Sequence, residues 1–271
     1  MEINNTPDIM SIYGSFIEER NSVNSEERYK GNESWYHASS AGMCTRKIYY
    51  SSVEVAEPTN PSDAKAQRLM RLGTIVHNDI QRSLLNFNKE KESSKEKETF
   101  SNSFINSTNS SINSTNNTIR EIKVEGKVEL KELNVRGFFD VVIDMETDEV
   151  YLMDIKTIGS YPYKLKFGRN AMANKNSIHQ ELQLATYGLG VKEQMGRLDG
   201  MFLIYYNKDT SMTKTVEVTL DYLELAKSYW TSVHNKLKDA TSPPFIEEGI
   251  SPVMSWECNY CNWKDKCEED G

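Results

Sequence analysis

Residues 137–157 read GFFDVVIDMETDEVYLMDIKT. Two apolar runs meet at an acidic turn, Glu146-Thr147-Asp148, a pattern that predicts an antiparallel hairpin. Asp154 and Lys156 are two residues apart, so on a strand they project from the same face. Asp140 lies midway along the preceding strand and can meet them across the hairpin. Val150, Leu152, Met153 and Ile155 surround the pair, which is not the setting of a solvated strand. Two carboxylates held close in a partly buried place repel each other. A divalent cation relieves that repulsion, and hard oxygen donors favour Mg²⁺ or Mn²⁺. The Ile155 carbonyl can add an oxygen, and the lysine can hold a water or phosphate or stabilise developing charge. This is the minimum equipment for metal-assisted phosphodiester hydrolysis. A D-x-K triplet alone reads equally as ordinary strand charges. The Gly137-x-x-Asp140 segment, a hairpin's distance upstream, argues against that reading.

The rest of the chain alternates strands and helices. Strand patterns cover 120–130, 133–144, 149–157, 200–207 and 213–220. A helix over 64–87 carries Leu69, Leu72, Val76, Ile80 and Leu84 at spacings of three and four, with Gly73 and His77 beside that stripe. A second helix, 177–190, has Ile178, Leu182, Ala185 and Leu189 on one face. A third starts at Asp221, where Glu224 completes a capping-box pattern, buries Leu223, Ala226, Trp230, Val233 and Leu237, and is ended by Pro243 and Pro244. Residues 1–34 form a polar segment with a possible helix over 10–20. Residues 88–119, a Lys/Glu run followed by SNSFINSTNSSINSTNNT, read as a disordered insertion within a domain spanning 35–271.

The 271 residues carry a net charge of -8, with 38% hydrophobic residues and mean hydropathy -0.63. That balance excludes a polybasic binder but not a nuclease with a local basic groove. No apolar run is long enough for a membrane span, and the N-terminus lacks the pattern of a secretory signal. An intracellular location follows as the expectation.

Gln183 and Tyr187 are four residues apart and share a helix face, with His179 four before Gln183 in the same row. That row can point into a cleft or into solvent. Taken together, GFFD, DIK and QLATY resemble the RecB-like branch of the PD-(D/E)xK nuclease superfamily. The resemblance implies an α/β/α sandwich with a mixed central sheet and Mg²⁺- or Mn²⁺-dependent nuclease activity. It makes His77, Asp140, Asp154 and the Ile155 carbonyl the metal ligands. Lys156 becomes the residue that positions or activates water, and Gln183 and Tyr187 the pair that hold the scissile strand or Lys156. Glu125 is an additional acidic candidate near the site.

Cys258, Cys261 and Cys267 form a C-x2-C-x5-C tail, and the fourth cysteine, Cys44, lies more than two hundred residues upstream. Four cysteines without an export signal suit a four-cysteine metal centre better than disulfides. Zinc and [4Fe–4S] both use four cysteines, but the one-plus-three arrangement is better suited to a cluster than to paired zinc knuckles. It resembles the iron–sulfur subgroup of RecB-like nucleases, which includes Cas-four-type CRISPR-associated exonucleases and AddB-type recombination proteins. A cluster there would clasp the N- and C-terminal segments together. Arg46 and Lys47, and Lys164, Lys166 and Arg169 interleaved with Tyr161, Tyr163 and Phe167, are candidate DNA contacts, as are Lys65, Arg68 and Arg71 beside the His77 helix.

The expected function is therefore a metal-dependent DNA exonuclease that prefers single-stranded ends. Its setting would be a CRISPR, phage or repair system with recombination or CRISPR-adaptation partners. The alternatives are a structure-selective endonuclease, a non-catalytic iron–sulfur or zinc DNA-binding subunit, and an RNA-directed nuclease.

Overall fold

The computed structural model describes residues 10, 12–17, 19–20, 35–95, 119–169 and 178–271. In chain order its elements are β1 (Tyr36–His37), α1 (Thr45–Ser52), α2 (Ala64–Lys95), β2 (Ile119–Leu130), β3 (Val135–Met145) and β4 (Val150–Ile158). There follow α3 (Ser160–Phe167), α4 (His179–Met195), β5 (Gly200–Asn207), β6 (Thr213–Val218), α5 (Tyr222–Leu237) and α6 (Lys264–Glu269).

The strands form one mixed sheet. β2, β3 and β4 form an antiparallel meander, β5 runs parallel to β4, and β6 closes the far edge antiparallel to β5. The predicted hairpin forms at Glu146–Asp148, where Asp148 takes a left-handed φ of 72° and the Met145 N–H donates to the Glu149 carbonyl at 2.9 Å. β3 pairs with β4 only from Val141↔Met153 to Asp144↔Val150. Beyond Met153 the two strands separate. β2 lines the other edge of β3 along most of its length, so short parallel β1, at Tyr36↔Val135, takes the edge that β4 has left. This split gives the sheet an opening at its centre.

Helices cover both faces. α4 and α5 lie over the main core, where Leu152, Leu184, Leu203, Met201 and Trp230 are fully buried. α4 is buried almost all round, from Leu182 to Val191, as a central helix must be. The Trp230 indole N–H donates to Thr186 Oγ1 at 2.8 Å, which pairs that buried donor where α5 meets α4. On the opposite face Ile80 and Leu84 of α2 cover Ile122, Val141 and Ile155. The result is the expected sandwich of a mixed sheet between helices.

Several local expectations need correction. α2 continues to Lys95, into the stretch assigned to the insertion, and residues 96–118 lie outside the described part of the chain. Its apolar stripe is only half used: Leu69 and Leu72 are exposed, and only its later residues reach the sheet. The capping box at Asp221 does not form, because Asp221 already has helical φ/ψ and makes no side-chain cap bond. α5 ends at Leu237, before either proline. The basic segment after β4 begins with a short helix, α3. Of the 10–20 helix, residues 12–17 are helical and Ile17 is buried.

Candidate active site

The site lies where β3 and β4 separate. The register that pairs Val141 with Met153 makes Asp140 and Asp154 the next opposed positions, just past the last ladder pair. Directly opposed residues share a face, so the two carboxylates converge. The same count across β2, from Val124↔Val141 to Gly126↔Phe139, puts Glu125 opposite Asp140. Three acidic residues thus line up across three neighbouring strands. Glu125 leaves the ladder with a left-handed φ of 50° and accepts a hydrogen bond from Gln81 Nε2 at 3.0 Å.

Each strand-borne acid has a specific neighbour. Asp140 Oδ2 accepts the Ile155 N–H at 2.6 Å, taking the place of the missing ladder partner. N–H and C=O of one strand residue point to the same side, so the Ile155 carbonyl is also directed into the split. His77 Nδ1 of α2 lies 3.6 Å from the same Asp140 oxygen. Burial alone would depress the His77 imidazole, but the Asp140 carboxylate, aided by Asp154, raises its pKa overall. α2 reaches this position because Gly73 packs on Thr157 of β4, where an added Cβ would come within 2.9 Å of the threonine hydroxyl.

Asp154 is almost completely buried, and Lys156 Nζ lies 2.7 Å from its Oδ2. The angle of that ion pair leaves Oδ2 without a proper hydrogen bond. Burial pushes the Asp154 carboxyl up to about 6, against the attraction of Lys156 and with the repulsion of Asp140. Lys156 is held on its other side by Gln183 Oε1 at 2.8 Å, and Gln183 Nε2 donates to the Tyr187 hydroxyl at 2.9 Å. Burial and the nearby carboxylates raise the Tyr187 phenol, so it stays protonated. Gly137 is required here: a Cβ would lie 2.7 Å from Ala38 and 2.8 Å from the Tyr187 ring.

A cleft of about 400 Å³ gathers His77, Glu125, Gly137, Asp140, Gln183 and Tyr187 with Arg136, Thr157 and Ser39. The sequence reading missed Gln81, although it stands four residues after His77 on the same helix face. It is buried and binds both Glu125 and the Asp140 carbonyl. His179 of the polar row does not line the cleft. It is held by Glu257 and the Ala41 carbonyl.

Among the described residues, no group of three or more His, Cys, Asp or Glu is gathered so as to hold a metal ion. At the cleft, Asp154 is turned to Lys156 and Asp140 to the Ile155 N–H. The donor chemistry nonetheless fits a hard divalent cation: two carboxylates, a backbone carbonyl and an imidazole lie around the split, and the buried Asp154 Oδ2 makes no well-formed hydrogen bond even with Lys156 Nζ 2.7 Å away.

The four cysteines line a second, smaller cavity of about 130 Å³ with Arg46, Lys47 and Tyr50. Burial, then the Glu248 carboxylate and after it the neighbouring cysteines, raises the thiol pKa of Cys258. Hydrogen bonds join the two ends of the chain around this cavity. Thr45 N donates to Glu247 at 2.7 Å, Tyr50 OH to Asp270 at 2.7 Å and the Trp263 indole to the Ala56 carbonyl at 2.9 Å. Arg46 was expected among the DNA contacts. It is instead buried, donates to Tyr50 OH at 3.0 Å, and with Lys47 faces the cysteines. Lys166 is also committed, 3.7 Å from Glu181 and over the Tyr205 ring. Tyr163 and Phe167 pack inward against each other and Tyr205, so neither offers a stacking platform. Lys164, Arg169 and Tyr161 remain exposed.

Strand-borne acids and a lysine set at the split of a helix-flanked mixed sheet, beside an open cleft, define an α/β protein with the layout of a nuclease. The particular family follows from comparison: the model of the PD-(D/E)XK nuclease superfamily matches residues 86–268, and the chain belongs to that superfamily, whose members typically use divalent metals. Among solved structures, the crystal structure of SSO0001 is 18% identical over 96% of this chain and 98% of its own, with a TM-score of 0.45. A provisionally named exonuclease from Eubacterium rectale is 16% identical over 42% of this chain and 46% of its own, with a TM-score of 0.30. No curated protein matches the sequence. No helix among the described residues is long and apolar enough to cross a membrane.

Proposed function

We propose that the chain is a divalent-metal-dependent DNA exonuclease of the RecB-like iron–sulfur subgroup, acting on single-stranded ends. The observation that carries the nuclease reading is the opposition of Asp140 and Asp154 at the strand split, with Lys156 held between Asp154 and Gln183. Asp140, Asp154, the Ile155 carbonyl and His77 would hold Mg²⁺ or Mn²⁺, which when bound supplies Lewis acidity to the phosphate. Lys156 places its ammonium beside the attacked phosphate and orients the incoming water. Gln183 fixes the lysine, and the Tyr187 hydroxyl fixes Gln183 by accepting its Nε2–H. Glu125 adds a third carboxylate that limits where a phosphate can enter.

The iron–sulfur assignment rests on the cysteines. A single zinc with arms of 2.3 Å needs its sulfurs about 3.8 Å apart, whereas a cubane spreads four thiolates over four irons. The four cysteines line one cavity, and their one-plus-three spacing along the chain favours the second case. Residues 35–271 would then be one domain preceded by a polar segment at 1–34. Recombination or CRISPR-adaptation proteins are the partners such a nuclease would serve.

Exonuclease action has a direct test. With Mn²⁺, a linear end-labelled single strand is expected to be degraded at least tenfold faster than a circular strand of equal length. Equal rates would identify an endonuclease, and preference for RNA ends would move the function to RNA processing.

A further inference from the structure

The polar row on α4 is used at two levels. Gln183 and Tyr187 serve the cleft, while His179, one turn earlier, makes contact with the cysteine module. His179 Nε2 lies 2.8 Å from Glu257 Oε1, and Nδ1 lies 3.2 Å from the Ala41 carbonyl. Glu257 immediately precedes Cys258, and the same Oε1 accepts the Met254 N–H at 2.7 Å. Ala41 and Gly42 lead into Cys44. Gly42 has a φ of 79°, and a Cβ there would collide with the His179 ring. The histidine is therefore clamped between the two chain segments that carry Cys44 and Cys258. It is also the first residue of the helix whose next turn holds Lys156 through Gln183.

We infer that His179 and Glu257 form a positioning pair that ties closure of the cysteine module to the placement of Gln183, and through it of Lys156. The inference rests on the nuclease reading of the cleft and on the cysteines acting as one closed module. It assigns a role to residues that touch neither the phosphate nor a metal. An α-helix transmits a displacement of its first turn to its second, because successive backbone hydrogen bonds couple them. If the first turn of α4 comes away from Glu257, Gln183 withdraws from Lys156. The ammonium is then left with Asp154 alone, where it competes with a cation for the carboxylate. The consequence is lower turnover and weaker active-site metal binding, with binding of the DNA chain little altered.

The test is a set of full-length variants, each checked for thermal stability and cysteine-module metal content. His179→Ala and Glu257→Ala are expected to lower kcat about tenfold or more, as small misplacements of reacting groups do, with KM for a single-stranded oligonucleotide changed less than about twofold. His179→Gln keeps an N–H near the Nε2 position and should recover most of the loss. In a Gln183→Ala background, His179→Ala should add less than about twofold, because its route to Lys156 is already cut; a residue that only stabilises the fold would multiply its effect. Mn²⁺ affinity, read by the EPR signal of the free ion without DNA, should fall in Cys258→Ser protein but fall no further when His179→Ala is added. Full multiplication with Gln183→Ala, or a Cys258→Ser effect undiminished by His179→Ala, would overturn the pair's role. If the wild-type chain cleaves no nucleic acid, the nuclease reading fails separately, and the Mn²⁺ measurements still decide whether the coupling exists.

Discussion

Asp154 is a buried carboxyl set against both Lys156 and Asp140. Its carboxyl is raised to about 6 by burial, and one oxygen lacks a proper hydrogen bond. A carboxyl whose folded pKa is raised stabilises the fold through proton uptake. That contribution is fully present below the ordinary carboxylate value and is lost as pH rises through about 6. Metal-free protein should therefore melt at a higher temperature near pH 5 than the same group allows at pH 7.5. Asp154→Asn should remove this part of the pH dependence and raise Tm at pH 7.5 by about 2–4 °C, while abolishing cleavage. Calorimetry of both proteins with chelator present checks this, and a lower Tm for the variant at pH 7.5 would show that the charge is well compensated. The residue level was also the most legible in the sequence. Period-two spacing alone puts Asp154 and Lys156 on one face, and the hairpin brings in Asp140. Arg46 was misread because a cation next to a cysteine has two possible uses, and only burial distinguishes a phosphate contact from one to Tyr50.

At the scale of elements, the strand split was not legible. An alternating pattern predicts a strand and its face, but not where its partner leaves it, which here depends on β1 arriving from a hundred residues upstream. The same limit affects the D-x-K signal. Glu121, Glu125 and Glu129 of β2 are also each followed two residues later by a lysine. Lys123 instead pairs with Glu121 and Lys127 with Glu129 in half-exposed positions, so only the triplet at the split brings its lysine to the acid cluster. The length of α4 was underestimated because a helix buried all round has little amphipathic period to read. The missing cap at Asp221 shows a side-chain pattern overridden by the backbone, which is already helical there. Gly137 joins elements: it lets the Tyr187 ring of α4 and the Ala38 turn pack closely on β3. Gly137→Ala should cost about 1–3 kcal/mol by overpacking and slow cleavage more than Ser39→Ala does. Urea melts and initial rates measure both, and an unchanged rate would remove Tyr187 from the working site.

At the scale of the molecule, the chain is closed on itself. Thr45–Glu247, Tyr50–Asp270 and Trp263–Ala56 contacts span about two hundred residues and surround the four cysteines. Cysteine spacing made this clasp visible in the sequence, but its link to α4 through His179 was invisible, since Glu257 has no distinguishing pattern. If the four cysteines serve one centre, Cys44→Ser and Cys261→Ser should lose bound iron and Tm to the same extent, despite their separation in sequence. Metal analysis of anaerobically purified protein decides the point, and full iron retention in Cys44→Ser would break the four-cysteine scheme.

The central claim is that Asp140, Asp154 and Lys156 at the strand split carry out phosphodiester hydrolysis. Single-turnover cleavage of an end-labelled single-stranded oligonucleotide, started by adding Mn²⁺ to wild-type protein and to Lys156→Ala protein of equal cysteine-module metal content, tests it most directly. The wild type is expected to cleave in a Mn²⁺-dependent manner and the variant to lose at least a hundredfold, about 2.7 kcal/mol of barrier, with DNA binding retained. Cleavage by Lys156→Ala at the wild-type rate would contradict the claim.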